Sequence, residues 1–277
     1  MNRLAVLGQP IGHSLSPVMH AAAFEALGIG DRWTYEAIEL APEDFGRGVR
    51  RLRVDGYLGA NVTVPHKRRA LELADDATEA ARAIGAANTL TFSPAGIRAA
   101  NTDAPGLLAA LPTSAAGRRA LVLGAGGAAR AAVWALLEAG ADVSVHNRTT
   151  ARADELVADL GGTVLVPDGD LPLGDFDIVV NATSVGLARE GAPVTAPGGD
   201  LKELGIAADS LSDHLVVVDL VYGTTNTDLV AAAARGGATV IDGLEILVHQ
   251  GAESFRIWTG AEPPLEIMRR SIRNLQR

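Results

Sequence analysis

A lysine in an arginine-rich chain is the first candidate for chemistry. Of the 24 lysine and arginine residues, only Lys67 and Lys202 are lysines, so arginine is used almost wherever a cation is needed. Lysine offers a compact amine that can gain or lose a proton, whereas arginine stays charged. Lys67 follows Asn61 and Thr63, which are two residues apart and therefore point the same way on a strand. We expect Lys67 to supply a charge and a proton; the alternative is an ordinary surface lysine.

Two serines form a second candidate site, for an anion. Ser14 and Ser16 precede Pro17, and proline is favoured at the first position of a helix. Hydroxyls beside the free amides of a helix N-terminus suit a carboxylate. An ordinary serine N-cap is equally compatible with the local sequence, although it explains Ser16 and leaves Ser14 without a role. Further polar groups follow other predicted strands, where ligands of open α/β sheets bind: Asn88, Thr89, Asn101, Thr102 and Asp103.

The composition excludes several classes of protein. A net charge of -9 and a pI near 5.1 leave no broad basic surface, so nucleic acid is not an expected partner. The absence of cysteine excludes disulfides, thiolate catalysis, cysteine-bound zinc and iron–sulfur clusters. Redox chemistry therefore needs a bound cofactor. We predict no metal and interpret His13, His66 and His146 as structural. No secretory signal or long apolar span is recognised, so we expect a cytoplasmic protein without a membrane partner.

The elements that must position these residues alternate along the chain. Apolar β-branched stretches alternate with amphipathic helical ones, which predicts the α/β class with largely parallel sheets. One βαβ module is clear: the strand RALVLG, a glycine turn, a helix ending near Glu138, and the strand ADVSVHNRT. We predict two α/β domains: a substrate domain with a mainly parallel sheet over residues 1–103, and a Rossmann-type cofactor domain over residues 104–242. The helices of residues 243–277 are expected to pack back on the first domain.

The glycine turn of this module predicts a dinucleotide site. The segment from Gly124 to Ala129 fits the pattern G-x-G-x-x-G/A between an apolar strand and an alanine-rich helix. Glycines let the backbone approach a pyrophosphate at the helix N-terminus. A purely structural strand-to-helix turn is the alternative. The residues assigned to the cofactor in this turn are Gly124, Ala125, Gly126, Gly127 and Ala128.

The end of the following strand predicts which dinucleotide binds. NAD sites place an acidic residue there to accept from the ribose 2′-hydroxyl, whereas this chain has Asn147, Arg148 and Thr149, with Arg152 one turn later. Guanidinium groups pair with a 2′-phosphate and stack on adenine. NADP is therefore favoured over NAD. The alternative, solvent-facing arginines at a helix start, is opposed by the helix dipole.

Nearly the whole chain resembles the shikimate dehydrogenase family. The matching segments, in chain order, are GQPIGHSLSP, ANVTVPHK, GAANTL, NTD, GAGGAAR, NRT, NATSVG, DLVY and DGLEILVHQGAESFRIWTG. The resemblance implies NADPH-dependent, reversible reduction of 3-dehydroshikimate to shikimate in aromatic amino-acid biosynthesis, in a cleft between two domains. It implies that Lys67 and Asp103 form the catalytic pair and that Ser14 and Ser16 bind the substrate carboxylate. It also assigns the substrate contacts Asn61, Thr63, Asn88, Tyr222 and Gln250, and the further cofactor contacts Thr183 and Gly243.

Two departures from the family pattern bear on these assignments. Ala100 and Ala104 flank the Asn-Thr-Asp motif where relatives usually carry a polar or acidic residue and a glycine, which concerns the setting of Asp103. The run from Gly223 to Asp228 replaces a proline-containing pattern near the nicotinamide. Neither departure removes a group that the chemistry needs.

Three other functions stay open at this point. One is a paralogue that acts on quinate or an aminoshikimate, and another is a catalytically silent NADP-binding protein, which the intact Lys67–Asp103 pair disfavours. The third is a dehydrogenase of the methylenetetrahydrofolate type, whose Tyr-x-x-x-Lys pattern does not follow Tyr35, Tyr57 or Tyr222. A monomer or a homodimer is expected.

Overall fold

The computed structural model describes residues 1–187, 198–223 and 226–276, which form two units. The strands of the first unit are β1 (Asn2–Gly8), β2 (Trp33–Glu39), β3 (Tyr57–Val62), β4 (Asp76–Ala77), β5 (Thr89–Ser93) and β6 (Gly96–Ala100). Its earlier helices are α1 (Ser16–Ala26), α2 (Phe45–Val54), α3 (Lys67–Leu73), α4 (Glu79–Ile84) and α5 (Asp103–Ala110). The sheet has the order β2-β1-β3-β5-β6-β4.

One strand of this sheet runs against its neighbours. β1 is parallel to β2 and β3, and β4 is parallel to β6, but β5 is antiparallel to both β3 and β6. Only Pro94 and Ala95 link Ser93 to Gly96, a connection far too short for a parallel crossover. The end of β6 lies beside the start of β5, because Thr89 pairs with Ala100. Asn88 therefore lies next to the segment that leads into α5.

The second unit is built on a parallel sheet. Its strands are β7 (Arg119–Leu123), β8 (Asp142–His146), β9 (Thr163–Val164), β10 (Ile178–Asn181), β11 (Val216–Asp219) and β12 (Thr239–Ile241). Its helices are α6 (Gly127–Glu138), α7 (Thr150–Leu160), α8 (Gly199–Leu204) and α9 (Asp228–Arg235), with 3₁₀ turns at Leu173–Asp175 and Ala208–Ser210. The order β12-β11-β10-β7-β8-β9, with every pairing parallel, is that of a Rossmann-type doubly wound sheet. The predicted fold class is confirmed.

The chain then returns to the first unit through α10 (Gly243–Thr259) and α11 (Leu265–Arg273), followed by a 3₁₀ turn at Asn274–Gln276. α11 packs on α1, so the predicted return of the C-terminal helices is confirmed. α5 and α10 meet at Gly106, where a β-carbon would stand 2.7 Å from the backbone nitrogen of Gln250. Glycine is required at this position, and it brings the start of α5 close to Gln250.

The divisions between the units differ slightly from the predicted boundaries. The first unit comprises residues 1–109 and 247–275, and the second comprises residues 110–246. The predicted ends at 103 and 242 fall earlier because α5 and α10 start there, and both helices continue across the division. Within the described ranges, no helix is long and apolar enough to cross a membrane.

Candidate active site

Lys67 and Asp103 form a close ion pair at the starts of two helices. Lys67 is the first residue of α3 and Asp103 the first of α5. Nζ of Lys67 lies 2.6 Å from Oδ2 of Asp103, and the two side chains are only 12% and 14% exposed. The carbonyl of Lys67 also accepts from the amide of Ala87, which fixes the start of α3 against the segment that carries Asn88.

Asn88 connects this pair to Gln250. Its Nδ2 lies 2.9 Å from Oδ1 of Asp103, 3.2 Å from Oε1 of Gln250 and 2.9 Å from Oγ1 of Thr102. Its Oδ1 accepts from the amide of Thr102 at 2.7 Å, which fixes the orientation of the side-chain amide. One NH₂ group has two protons for three acceptors, so one of these acceptors can take a proton from a ligand hydroxyl instead.

The departure at Ala100 and Ala104 does not displace Asp103. The amide of Ala104 donates to Oδ1 of Asn101, and Nδ2 of Asn101 donates to the carbonyl of Ala86. The carbonyl of Ala100 accepts from the amide of Asn88. The side chain of Asn101 and the backbone bond between Asn88 and Ala100 therefore hold the turn into α5, and neither alanine side chain takes part in them.

Asn61 is buried and forms four hydrogen bonds within the protein. Its Oδ1 accepts from the hydroxyl of Tyr35 at 2.7 Å and from Ser254 at 3.3 Å. Its Nδ2 donates to the carbonyl of Asn88 and to Oγ1 of Thr89. A ligand hydroxyl can bind to Asn61 only by replacing one of these partners. Sequence reasoning missed Tyr35 and Ser254, whose only signals were a polar residue on a predicted strand and on a predicted helix.

The two serines lie at the start of α1. Ser16 is the first residue of the helix, and the N-cap position belongs to Leu15, whose side chain cannot accept a hydrogen bond. The alternative of an ordinary Ser16 N-cap is therefore wrong. The amide of Ser16 donates to Oγ of Ser14 at 3.4 Å, so the Ser14 hydroxyl lies at the N-terminus of α1. Thr63, half-buried after β3, shares the carboxyl edge of this sheet.

His66 directly precedes the catalytic lysine candidate, but its ring is directed elsewhere. Nε2 lies 2.7 Å from the carbonyl oxygen of Leu40, and the ring stacks on Phe45 with centroids 4.4 Å apart. Burial lowers the pKa of His66, which favours the neutral ring. This environment agrees with the structural interpretation of His66.

The glycine turn of the second unit lies between β7 and α6. Gly124 has a φ of +111°, and a β-carbon there would stand 2.9 Å from the carbonyl oxygen of Ala182. Gly126 is the N-cap of α6, and no described atom lies within 4 Å of its missing β-carbon position. This open helix N-terminus lies at the point where the strand order reverses, between β7 and β10. The arrangement fits a dinucleotide pyrophosphate.

The residues predicted to recognise the 2′-phosphate lie at the end of β8. The Arg148 side chain is 90% exposed, and its Nη1 lies 3.7 Å from Oε1 of Glu203. Thr149 is the N-cap of α7, its carbonyl accepts from Nδ2 of Asn147, and Arg152 lies in the first turn. Surface pairs of this kind are weak, so Arg148 can exchange its partner for a phosphate.

The remaining predicted residues also lie in the second unit. Thr183 follows β10, where its amide and hydroxyl donate to Oδ1 of Asn181. Gly243 starts α10, and a β-carbon there would stand 2.4 Å from the carbonyl oxygen of Val221. Tyr222 and Gly243 line one small depression. Thr224 and Thr225, within the run that departs from the family pattern, lie outside the described residues.

These features define a class of protein: an α/β oxidoreductase in which a Rossmann-type unit accompanies a unit with a lysine–carboxylate pair. The description "Shikimate dehydrogenase substrate binding domain" matches residues 6–90, "Shikimate / quinate 5-dehydrogenase" matches residues 108–189, and "Shikimate 5'-dehydrogenase C-terminal domain" matches residues 243–273.

Whole-length relatives agree with these matches. The chain is 44% identical over 278 residues to shikimate dehydrogenase (NADP(+)) of Halobacterium salinarum, with 99% of each protein covered. It is 40% identical over 283 residues to the Methanothermobacter thermautotrophicus protein of that name, with 98% of this chain and 95% of the relative covered. The crystal structure of shikimate 5-dehydrogenase from Thermus thermophilus in complex with NADP(H) and shikimate superposes with a TM-score of 0.84 at 38% identity, covering 99% of this chain and 100% of the other. The chain belongs to the shikimate dehydrogenase family.

Proposed function

We propose that this protein catalyses the NADPH-dependent, reversible reduction of 3-dehydroshikimate to shikimate. The observation that carries the proposal is the pair of Lys67 and Asp103, 2.6 Å apart and linked through Asn88 to Gln250. Both relatives named above are called NADP(+) enzymes, and the Thermus structure contains NADP(H) and shikimate. The protein is accordingly assigned to the pathway of aromatic amino-acid biosynthesis.

The chemistry requires a cation and a proton donor at the carbonyl oxygen. When bound, NADPH supplies a hydride to the carbonyl carbon of 3-dehydroshikimate and is oxidised to NADP⁺. The electron pair of the carbonyl π bond moves to oxygen, which takes a proton from the Lys67 ammonium and becomes a hydroxyl. Before this transfer, the charge of Lys67 stabilises the developing oxyanion, while Asp103 holds Nζ in place. In the reverse direction the neutral amine of Lys67 takes the hydroxyl proton.

The other predicted residues bind and orient the two ligands in this proposal. Ser14 and Ser16 hold the substrate carboxylate at the N-terminus of α1. The ring hydroxyls are bound by Asn61, Thr63, Asn88 and Gln250, with Tyr222 near the substrate. The pyrophosphate lies at the N-terminus of α6 over Gly124–Ala128, and Asn147, Thr183 and Gly243 are further contacts of the cofactor. Arg148, Thr149 and Arg152 hold the 2′-phosphate.

A related activity on quinate is the second candidate. It is favoured by one observation, since the family description that matches residues 108–189 covers both shikimate and quinate dehydrogenases. Quinate differs from shikimate in a C1 hydroxyl and a saturated bond where shikimate has its ring double bond, so few contacts decide between them.

The test is to measure oxidation of shikimate, quinate and an aminoshikimate by the purified protein, each with NADP and with NAD. We expect the highest kcat/KM with shikimate and NADP. A higher value with quinate would assign the protein to the paralogous activity. Binding of NADP and shikimate without any turnover would instead show a catalytically silent protein.

Location and assembly are also part of the proposal. We place the reaction in the cytoplasm, and we expect a monomer or a homodimer with no nucleic-acid partner, in keeping with the net charge of -9. Light scattering coupled to size exclusion measures the oligomeric state directly.

A further inference from the structure

A buried carboxylate in the second unit has no part in the chemistry described so far. Asp219 is the last residue of β11 and is 0% exposed. Burial raises its pKa to about 6, and no described lysine or arginine forms an ion pair with it. Keeping an unpaired carboxylate in such a place is costly, so its hydrogen bonds indicate what it does.

Three donors from three different segments converge on Asp219. Its Oδ1 accepts from Nδ2 of Asn181 at 2.9 Å and from the amide of Val221 at 3.0 Å. Its Oδ2 accepts from the hydroxyl of Thr227 at 2.5 Å, and that hydroxyl oxygen also accepts from the amide of Val230 as the N-cap of α9. Asp219 therefore ties together the ends of β10 and β11 and the start of α9.

The bond to Asn181 determines which way that side-chain amide faces. An ionised carboxylate can only accept hydrogen bonds, so Nδ2 of Asn181 must face Asp219. Oδ1 of Asn181 then faces the next loop, where it accepts from the amide of Thr183 at 3.1 Å and from its hydroxyl at 2.7 Å. The Thr183 hydroxyl oxygen in turn accepts from the amide of Val185. Nδ2 of Asn181 also donates to the carbonyl of Val185 at 3.4 Å. Asn181 thus links Asp219 to both ends of the turn after β10, and Asp219 contributes to the orientation of that turn.

This turn borders the glycine turn of the second unit. The missing β-carbon position of Gly124 is 2.9 Å from the carbonyl oxygen of Ala182 and 3.3 Å from Cγ2 of Thr183. β7 and β10 are neighbours at the reversal of strand order, where ligands of such sheets bind. A displaced Thr183 turn would therefore change one wall of the dinucleotide site.

From this chain of contacts we infer that Asp219 is a positioning residue for NADP: through Asn181 it holds the Thr183 turn against the glycine turn, and through Val221 it holds the loop that follows β11. The inference rests on the proposed function, because it concerns the cofactor of that reaction. Asp219 itself does not touch the reacting atoms in this assignment.

The first test compares Asp219→Ala with Asp219→Asn, using calorimetric titration of NADP⁺ and, separately, of shikimate. An asparagine can keep all three bonds, since its Oδ1 accepts from Asn181 and Val221 while its Nδ2 donates to Thr227. We expect Asp219→Asn to bind NADP⁺ within about twofold of wild type, whereas Asp219→Ala should bind it about tenfold more weakly, the equivalent of one lost hydrogen bond. Shikimate affinity should be unchanged in both variants.

A second variant keeps the inference testable if Asp219→Ala does not fold. Asn181→Ala removes the bonds of Asn181 to Asp219, Thr183 and Val185 and leaves the bonds of Asp219 to Val221 and Thr227. We expect about a tenfold weaker affinity for NADP⁺ with unchanged shikimate affinity. A folded Asn181→Ala protein with wild-type NADP⁺ affinity would overturn the inference.

A matched pair of helix caps separates positioning from stability. Thr227 caps α9, and Thr78 caps α4 in the first unit by accepting from the amide of Ala81 at 3.2 Å. Thr227→Val and Thr78→Val each remove a helix cap, and Thr227→Val also leaves Oδ2 of Asp219 without its donor. Only Thr227→Val should weaken NADP⁺ binding, because only Thr227 contacts Asp219. Equal NADP⁺ affinity in the two variants would count against the inference. Failure of the wild-type protein to bind NADP⁺ at all would overturn the proposed function instead.

Discussion

The hydroxyl of Tyr35 lies 2.7 Å from Oδ1 of Asn61 and donates a hydrogen bond to it. Tyr35 belongs to β2 and Asn61 to β3, so the bond passes over β1, which lies between them in the sheet. It keeps the oxygen of Asn61 turned inward and its NH₂ group turned toward Asn88 and Thr89. A residue outside the predicted site therefore sets the orientation of one inside it.

Replacing Tyr35 by Phe should loosen Asn61 without emptying the space that the ring fills. We expect the KM for shikimate to rise about fivefold and kcat to change by less than about twofold, because contacts with the ring hydroxyls persist from ground state to transition state. Tyr57→Phe is the matched control, since Tyr57 lies in the same sheet but its hydroxyl pairs with Arg3 and Glu36. Steady-state kinetics with varied shikimate would show equal KM values in both variants if Tyr35 had no such role.

The proton-donor role of Lys67 is tested by arginine. Lys67→Arg keeps the charge beside Asp103, but guanidinium is a poor proton donor. Turnover should fall by roughly 10²-fold or more with NADP affinity unchanged, and Asp103→Asn should lose a comparable amount. The double variant should be little worse than either single one, because the pair acts as a unit.

The chain provides a control in its other lysine. Lys202 lies on α8 in the second unit, and Lys202→Arg should retain full turnover. Near-normal turnover in Lys67→Arg would show that charge alone is sufficient and that the proton comes from another group.

The serines at the start of α1 should affect binding rather than turnover. Ser14→Ala and Ser16→Ala should each raise the KM for shikimate more than they lower kcat, because a carboxylate contact is the same before and during hydride transfer. Direct titration should show unchanged affinity for NADP⁺. A fall in kcat equal to the rise in KM in either variant would contradict a carboxylate-binding role.

Cofactor choice should depend on Arg148. Arg148→Asp removes a partner of the 2′-phosphate and adds repulsion, so NADP⁺ affinity should fall by about tenfold or more while NAD⁺ affinity changes little. Arg119→Asp makes the same change of charge at the start of β7, the end of that strand away from the glycine turn. It should leave both affinities unaltered. Glu203→Gln, which frees Arg148 from its acidic neighbour, should not weaken NADP⁺ binding. Wild-type NADP⁺ affinity in Arg148→Asp would show that Arg148 does not bind the 2′-phosphate.

Stability should depend on pH through His20. This ring is fully buried, stacks on Tyr35 with centroids 4.3 Å apart, and has no hydrogen-bond partner for either nitrogen among the described residues. Burial lowers the pKa of His20 to about 3. The pKa of a histidine in the unfolded chain is about 6.5. At pH values between that pKa and the lowered pKa of folded His20, only the unfolded chain takes up the proton, so stability falls as the pH is lowered. The contribution of His20 approaches about 1.4 kcal/mol per pH unit.

Urea unfolding of wild type and His20→Phe between pH 7 and pH 4 measures this contribution. The phenyl ring keeps the stacking and cannot titrate, so the variant should lose less stability as the pH falls. His214→Gln, which replaces an exposed histidine, is the control and should follow the wild-type curve. Parallel curves for wild type and His20→Phe would refute the assignment.

The sequence predicts those features that depend on residues close together in the chain. The alternation of apolar and helical segments predicts the Rossmann-type sheet, and the glycine turn follows from residues within one βαβ module. The reversal of β5 is also local, since two residues cannot form a parallel crossover. The alternation of strands and helices around it nevertheless predicts only a mainly parallel sheet and does not single out β5. Long-range contacts are different: Asn61 and Ser254 are 193 residues apart, and no short pattern in the chain encodes their meeting. For Asp219 the sequence indicates only a polar residue at the end of a strand, after three valines.

The meeting of α5 and α10 at Gly106 has a consequence for the order of folding. Residues 110–246 form one uninterrupted unit, whereas the first unit is made of two segments, residues 1–109 and 247–275. Bringing these two segments together closes a long loop, since Asn88 and Gln250 are 162 residues apart, and contacts of long sequence separation cost loop-closure entropy before they contribute stability. We therefore expect refolding to complete the Rossmann-type unit before the first unit gains Gln250 and Ser254.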